Sequence, residues 1–205
     1  GVSERYLNVY GEKDLRAQMN QFFHRTYTHP VDGTTLDMKM LCNWYWYDET
    51  AILETGKGTK DWNFYRYAET LLSAAEAIAQ SSGVNAEAAG YLAQVKARAN
   101  MEGKDVSTIA SELQRLGKQA FIEECWKERL REFPLEMKIW DDCVRTGKFP
   151  QISATNKGEV QFVDLIGATN GSGAKFKETD LYWPIPVNEI QRNPNLTQNE
   201  GYSAK

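Results

Sequence analysis

The stretch Asp61-Trp62-Asn63-Phe64-Tyr65-Arg66-Tyr67-Ala68-Glu69-Thr70-Leu71-Leu72-Ser73-Ala74-Ala75-Glu76-Ala77-Ile78-Ala79-Gln80-Ser81 places apolar residues three and four apart. Tyr65, Ala68, Leu72, Ala75 and Ala79 share one face, which predicts an amphipathic helix over 61–81 with Asp61 as its N-cap. Arg66, Ser73, Glu76 and Gln80 fall elsewhere, and Gly83 closes the C-terminus. A second helix fits Asn85–Ala99, with Ala88, Leu92, Val95 and Ala99 on its apolar face. So short a connection between two alanine-rich faces predicts a tight antiparallel pair, comparable to one tetratricopeptide unit.

Outward from this pair the helical pattern continues. Ser107–Leu116 reads as a third helix and Lys118–Phe133 as a fourth, with Ile122, Trp126, Leu130 and Phe133 inward. Pro134 lacks an amide donor and must end or kink that helix, which is expected to resume over Leu135–Arg145 and to cap at Gly147. Upstream, Leu15, Met19, Phe22 and Phe23 predict a helix over Glu12–Arg25, in a segment otherwise read as irregular. Downstream, 149–205 is rich in loop residues, with a short strand over Gln161–Ile166 and extended backbone before Pro184 and Pro186. The expected fold class is mainly α: tetratricopeptide-like helix pairs, a loop-rich C-terminal region and few short strands. The expected divisions are an aromatic loop region over 1–60, a helical region over 61–148 and a closing region over 149–205.

Several function classes find no support. Net charge is −4 and no basic stripe occurs, which excludes nucleic acid as the expected partner. No apolar run reaches the roughly 20 residues that span a bilayer. The three cysteines, Cys42, Cys125 and Cys143, lie far apart and form neither a disulfide framework nor a metal motif. Gly56-Lys57-Gly58-Thr59 lacks the spacing of a phosphate loop, and His24 and His29 belong to no zinc signature, so neither cofactor nor metal is expected.

Two sets of residues remain. Glu128, Glu132 and Glu136 recur every four residues, and a pair of carboxyls is what glycoside hydrolysis needs. Arg129, Arg131 and Lys138 interleave them, however, as on an ion-paired helix surface, and that reading is preferred. The run Asn43-Trp44-Tyr45-Trp46-Tyr47-Asp48 is the candidate ligand site. Sugar rings have apolar C–H faces that lie on flat aromatics, and Asn43 and Asp48 would supply hydrogen bonds. The alternative is a strand burying alternate members of the run. Trp62 and Tyr65 carry the same ambiguity and are expected in the core.

Three segments together resemble the SusD/RagB family. The first is Arg66-Tyr67-Ala68-Glu69, Leu71-Leu72 and Ala75-Glu76-Ala77, followed by Val95 and Arg98-Ala99-Asn100. The second is Glu128-Arg129, Glu132, Glu136, Trp140, Asp142 and Arg145-Thr146-Gly147-Lys148. The third and most specific is Pro184-Ile185-Pro186, Glu189-Ile190, Asn193-Pro194, Leu196-Thr197-Gln198-Asn199 and Gly201-Tyr202. The resemblance covers 61–202. It departs from the family pattern at Met137, where glycine is usual, and at Ile139, Cys143 and Glu200.

The resemblance implies the C-terminal part of a longer protein that is lipid-anchored on the outer membrane of Bacteroidetes. It implies non-catalytic binding of oligosaccharide for uptake through a SusC-like TonB-dependent transporter, with the anchor upstream of Gly1. Arg66 and Glu69 are then scaffold contacts. The rival readings are an interaction scaffold with no sugar site of its own, and a glycoside hydrolase using the Glu128 series.

Overall fold

The computed structural model describes residues 3–203, so the two ends of the expected 1–205 span lie outside the described residues. The chain divides into two compact units: Gly1–Ile139 with Ile152–Gln161, and Trp140–Gln151 with Phe162–Lys205.

The first unit is built on four helices, α1 (Tyr67–Ser82), α2 (Ala86–Ala99), α3 (Val106–Leu113) and α4 (Lys118–Glu132). Helix α1 packs on α2 and α4, and α3 packs on α2. The predicted pair is present: Gly83 takes the positive φ that ends α1, and the Asn85 side chain accepts from the Ala88 amide at 2.9 Å to start α2. Small residues let the axes approach closely, and Leu72, Ala75, Ala79, Ala88, Leu92 and Ala93 are fully buried between them. Ile109, Leu113, Phe121, Ile122, Cys125 and Phe133 complete the same core. Cys42, Cys125 and Cys143 are free thiols, and burial pushes the Cys125 thiol well up.

Three local expectations are overturned. The first concerns α1, whose N-cap is Arg66 rather than Asp61, so 61–65 lie outside the helix and Tyr65 is exposed rather than inward. Glu76 is buried on α1 and accepts from the Trp126 indole at 2.9 Å.

Second, no helix spans Glu12–Arg25. Leu15–Ala17 forms one 3-10 turn capped by Asp14, and Asn20 adopts φ 60°. The chain then enters β1 (Phe23–Thr28), which pairs antiparallel with β2 (Thr35–Asn43). A bulge separates the His24–Cys42 and Thr26–Asp37 pairs. Lys39, within this stretch of β2, has φ 57°.

Third, the helix does not resume at Leu135. Leu135 and Met137 both adopt φ 60°, so α5 begins only at Ile139 and runs to Thr146. Left-handed backbone is where glycine sits without cost, so Leu135 and Met137 both bear strain there.

The second unit is loop-rich. A second two-stranded sheet, whose strands β3 (Lys148–Ile152) and β4 (Val160–Asp164) are each divided between the two units, lies close to the strand expected at 161–166. Phe176 packs between Trp140 and Phe149, with ring centroids 5.7 and 5.2 Å away. Helix α6 (Val187–Arg192) follows Pro186. The closing segment is tied by side chains. Gln198 donates to the Ile185 carbonyl and accepts from its amide, and the Asn199 amide donates to the Trp183 carbonyl at 2.7 Å.

Candidate functional site

Strand β2 ends at Asn43, whose Oδ1 accepts from the Tyr45 amide at 2.7 Å and turns Trp44–Trp46 into a 3-10 turn. The aromatic run is therefore not a strand, and its rings are not sorted by period two. The turn divides them into an inner and an outer group.

Trp44 belongs to the inner group. It stacks on His24 at 3.8 Å and on Tyr47 at 4.5 Å, with planes within 9° and 11° of parallel. Tyr27 leans against both Trp44 and Tyr47. Burial lowers the basicity of His24, so the stack contains a neutral imidazole at neutral pH. Tyr45 is half-buried, with Lys60 over its ring.

The outer group begins at Trp46, whose indole donates to the Leu135 carbonyl at 3.3 Å and meets Trp62 edge-to-face at 5.8 Å. Phe64 lies 6.2 Å from Trp62, and Tyr65 lies 5.1 Å from Phe64. Exposure rises along this row: 40% for Trp46, 49% for Trp62, 63% for Phe64 and 73% for Tyr65. A contiguous exposed aromatic face of this kind marks a contact surface rather than a core. The expectation that Trp62 and Tyr65 are buried is thereby corrected. The available signal was the alternation Trp62-Asn63-Phe64 after Gly56-Lys57-Gly58, which reads as extended chain rather than helix.

Lysines hold this face in place. Lys60 Nζ donates to the carbonyls of Tyr45 and Tyr47 at 2.5 and 3.1 Å. Lys138 Nζ donates to the Phe64 carbonyl at 2.8 Å, pairs with Glu69 at 3.1 Å and sits 4.5 Å over the Tyr65 ring. The two polar residues proposed to meet a ligand are engaged internally. Asn43 donates to the Pro134 carbonyl at 3.0 Å. Asp48 accepts from the amides of Thr59, Lys60 and Ala51. Those amides, that of Thr59 foremost, hold its carboxyl below the ordinary value.

The Glu128 series is ion-paired with arginines as expected, but it is buried, which corrects the expectation of a helix surface. Arg66 grips Glu136 with two bonds of 2.8 and 2.7 Å, and reaches Glu132 Oε1 at 3.0 Å and the Glu132 carbonyl at 2.9 Å. Glu132 also pairs with Arg98 and with Arg16. Glu128 pairs with Arg16 at 2.8 Å and with Arg131 at 3.2 Å. Burial would push the Glu128 carboxyl up, but Arg16, Lys96 and Arg131 outweigh it and hold the group well below the carboxylate range. A general acid needs the opposite shift. Glu132, at the end of α4, and Glu136, in the turn that follows it, both accept from the one guanidinium of Arg66. The Glu128, Glu132 and Glu136 arrangement is therefore structural, as expected for Arg66. Among the described residues, no three His, Cys, Asp or Glu groups gather as a metal site.

Residues 9–202 match the sequence profile of the SusD family. The starch-binding protein SusD of Bacteroides thetaiotaomicron is 36% identical over 138 residues, which is 67% of this chain and 21% of that protein. The crystal structure of a SusD superfamily protein from Parabacteroides distasonis superposes with a TM-score of 0.81 at 31% identity, covering 98% of this chain and 41% of that one. The chain thus spans well under half the length of the relatives it matches.

Proposed function

This chain belongs to the SusD family, and on that premise we propose that it is part of a protein that binds oligosaccharide at the cell surface without cleaving it. In this reading the bound sugar passes to a SusC-like TonB-dependent transporter, and a lipid anchor on another part of the protein holds it at the outer membrane. One observation carries the sugar-binding role: the exposed row Trp46, Trp62, Phe64 and Tyr65. Pyranose rings present C–H groups on their faces, and burying them against aromatic faces releases water much as any apolar contact does. The similarity of this chain to the starch-binding protein SusD of Bacteroides thetaiotaomicron supports carbohydrate as the ligand class. Within the run 43–48, Trp46 is assigned to the sugar. Trp44, Tyr45 and Tyr47 back it, and Asn43 and Asp48 shape the loop.

The test is calorimetric titration of the protein and its Trp46→Ala and Trp62→Ala variants with neutral oligosaccharides. Each variant is expected to lose roughly tenfold in affinity, about 1.4 kcal/mol. Undiminished binding in both would overturn the assignment and favour a face that contacts protein, as an interaction scaffold would. Co-purification with a SusC-like transporter tests the partnership.

A further inference from the structure

Between Asp48 and Thr59 the chain forms a loop, 49–58, whose two feet stand at the start of the aromatic face. Trp46 lies just before one foot and Trp62 just after the other, and their rings meet at 5.8 Å. We propose that this loop is a lid that closes over an oligosaccharide lying on the Trp46–Trp62 step and buries Ile52 and Leu53 against it. The proposal rests on the sugar-binding reading above and adds a closing element to the same site.

One side chain clasps the feet together. Asp48 accepts from the Thr59 and Lys60 amides at 2.9 and 3.1 Å, and from the Ala51 amide at 3.3 Å. Lys60 Nζ ties the second foot to the carbonyls of Tyr45 and Tyr47. Beyond this clasp the loop is bonded only to itself. The Ile52 amide donates to the Asp48 carbonyl, the Gly56 amide donates to the Ala51 carbonyl, and the Thr55 hydroxyl bonds both the amide and the carbonyl of Lys57. Among the described residues, no hydrogen bond or ion pair joins 49–58 to any part of the protein other than Asp48. A segment held at its base alone can move without breaking the structure that carries it.

The loop's composition says what it would close on. Every residue of 49–58 except Ala51 is exposed. Turns and loop tips favour glycine and small polar residues, yet Ile52 and Leu53 stand 46% and 40% exposed in the single wide turn Ala51–Thr55. Apolar side chains left in water beside an aromatic face gain by being covered, and the C–H groups of a sugar already on that face offer the cover. The hinge is also present. Gly56 takes φ 64° to end the turn, and Gly58 follows it just before the clasp. Glycine backbone absorbs a change of direction there while Thr59 and Lys60 stay fixed to Asp48.

The experiment titrates the protein with linear oligomers of glucose, mannose and xylose, and carries the tightest binder forward. Amide exchange over 51–58 is expected to slow about tenfold in the saturated complex, as a freely opening segment becomes held. A double variant, Ile52→Ser with Leu53→Ser, is expected to weaken binding about three- to tenfold, through faster release at an unchanged association rate. Its Tm is expected to equal the parent's, because the loop is tied down by Asp48 and not by its tip. Three outcomes would overturn the lid: exchange over 51–58 indifferent to bound sugar, parental affinity in the double variant, or a lowered Tm, which would show the tip packed on the protein already. In each of these cases a parent that binds sugar, and loses it in Trp46→Ala, leaves the aromatic face standing without a lid. If the parent binds none of the oligomers, both readings fall.

Discussion

Arg16 and Glu128 are 112 residues apart in sequence, yet their side chains meet at 2.8 Å and both are almost fully buried. Asp14 takes Nε and Nη2 of Arg16 and Glu132 shares its Nη1, so a 3-10 turn near the start of the chain is fastened to α4. The Glu128 carboxyl is held below its ordinary 4.5 in the folded state. Its ionisation therefore contributes stability in full above about pH 4.5 and progressively less as pH falls below that value. Glu124, shifted in the same direction, adds to the effect.

Glu128→Gln should thus do two things. At neutral pH it leaves Arg16 and Arg131 short of a counter-charge and costs about 3–5 kcal/mol. Below pH 4.5 it flattens the acid limb, since one depressed carboxylate no longer titrates. Denaturant unfolding at a series of pH values measures both. A variant whose stability falls with acid as steeply as the parent's would show that Glu128 does not drive the acid loss.

Met137 sits at φ 60° with its side chain mostly exposed, so it bears a backbone penalty with little packing in return. A left-handed residue other than glycine costs roughly 1–2 kcal/mol, and glycine's looser unfolded chain gives part of that back. Met137→Gly is expected to stabilise the protein by about 0.5–1 kcal/mol. A fall in Tm would show that the Met137 side chain contributes contacts that outweigh the strain.

The helix pair was legible because its causes are local. Ala and Leu recur at helical spacing, Asn85 can reach the Ala88 amide, and Gly83 can turn left-handed. The Glu128 series was misread because, apart from Arg131 beside Glu128, most of its partners are not local. Arg129 and Lys138 alternate with it in sequence, but Arg16, Arg66 and Arg98 reach it from other elements. The expected helix at 12–25 failed for the same reason: Arg16 is captured by buried carboxylates, and that capture outweighs a weak apolar period. At the candidate site, composition pointed to Trp44–Tyr47, but which rings face outward follows from the Asn43 turn and from Lys138, which holds the Phe64 carbonyl. The Asn43 turn is a local asparagine signal that the sequence carried, whereas the Lys138 contact has none.

In the second unit, Gly201 has φ 84°, and a Cβ there would run into Cγ2 of Thr179. The neighbouring Tyr202 hydroxyl lies 3.0 and 2.9 Å from the carbonyls of Thr179 and Tyr182. Gly201→Ala combines a steric clash with backbone strain and should release this anchor, at about 2–3 kcal/mol. Hydrogen exchange should quicken over 179–202. Unchanged exchange there would show that the Thr179 side chain turns aside without loss.

Arg66 links the buried network to the aromatic face. Its fork holds Glu132 and Glu136 on either side of the Pro134–Leu135 bend, and the carbonyls of that bend receive Asn43 and Trp46. Lysine keeps the charge but cannot form two parallel bonds to Glu136 while also reaching Glu132. Arg66→Lys should therefore cost about 2–3 kcal/mol of stability, the order expected for a disrupted buried charge pair. The bend and the turn should loosen as one unit, with amide exchange rising over 133–138 and 43–47 together and oligosaccharide affinity falling alongside. Exchange that rises only over 133–138, with affinity intact, would mean that the aromatic turn is held by its own contacts, chiefly Lys60 on the carbonyls of Tyr45 and Tyr47, and not by the network below it.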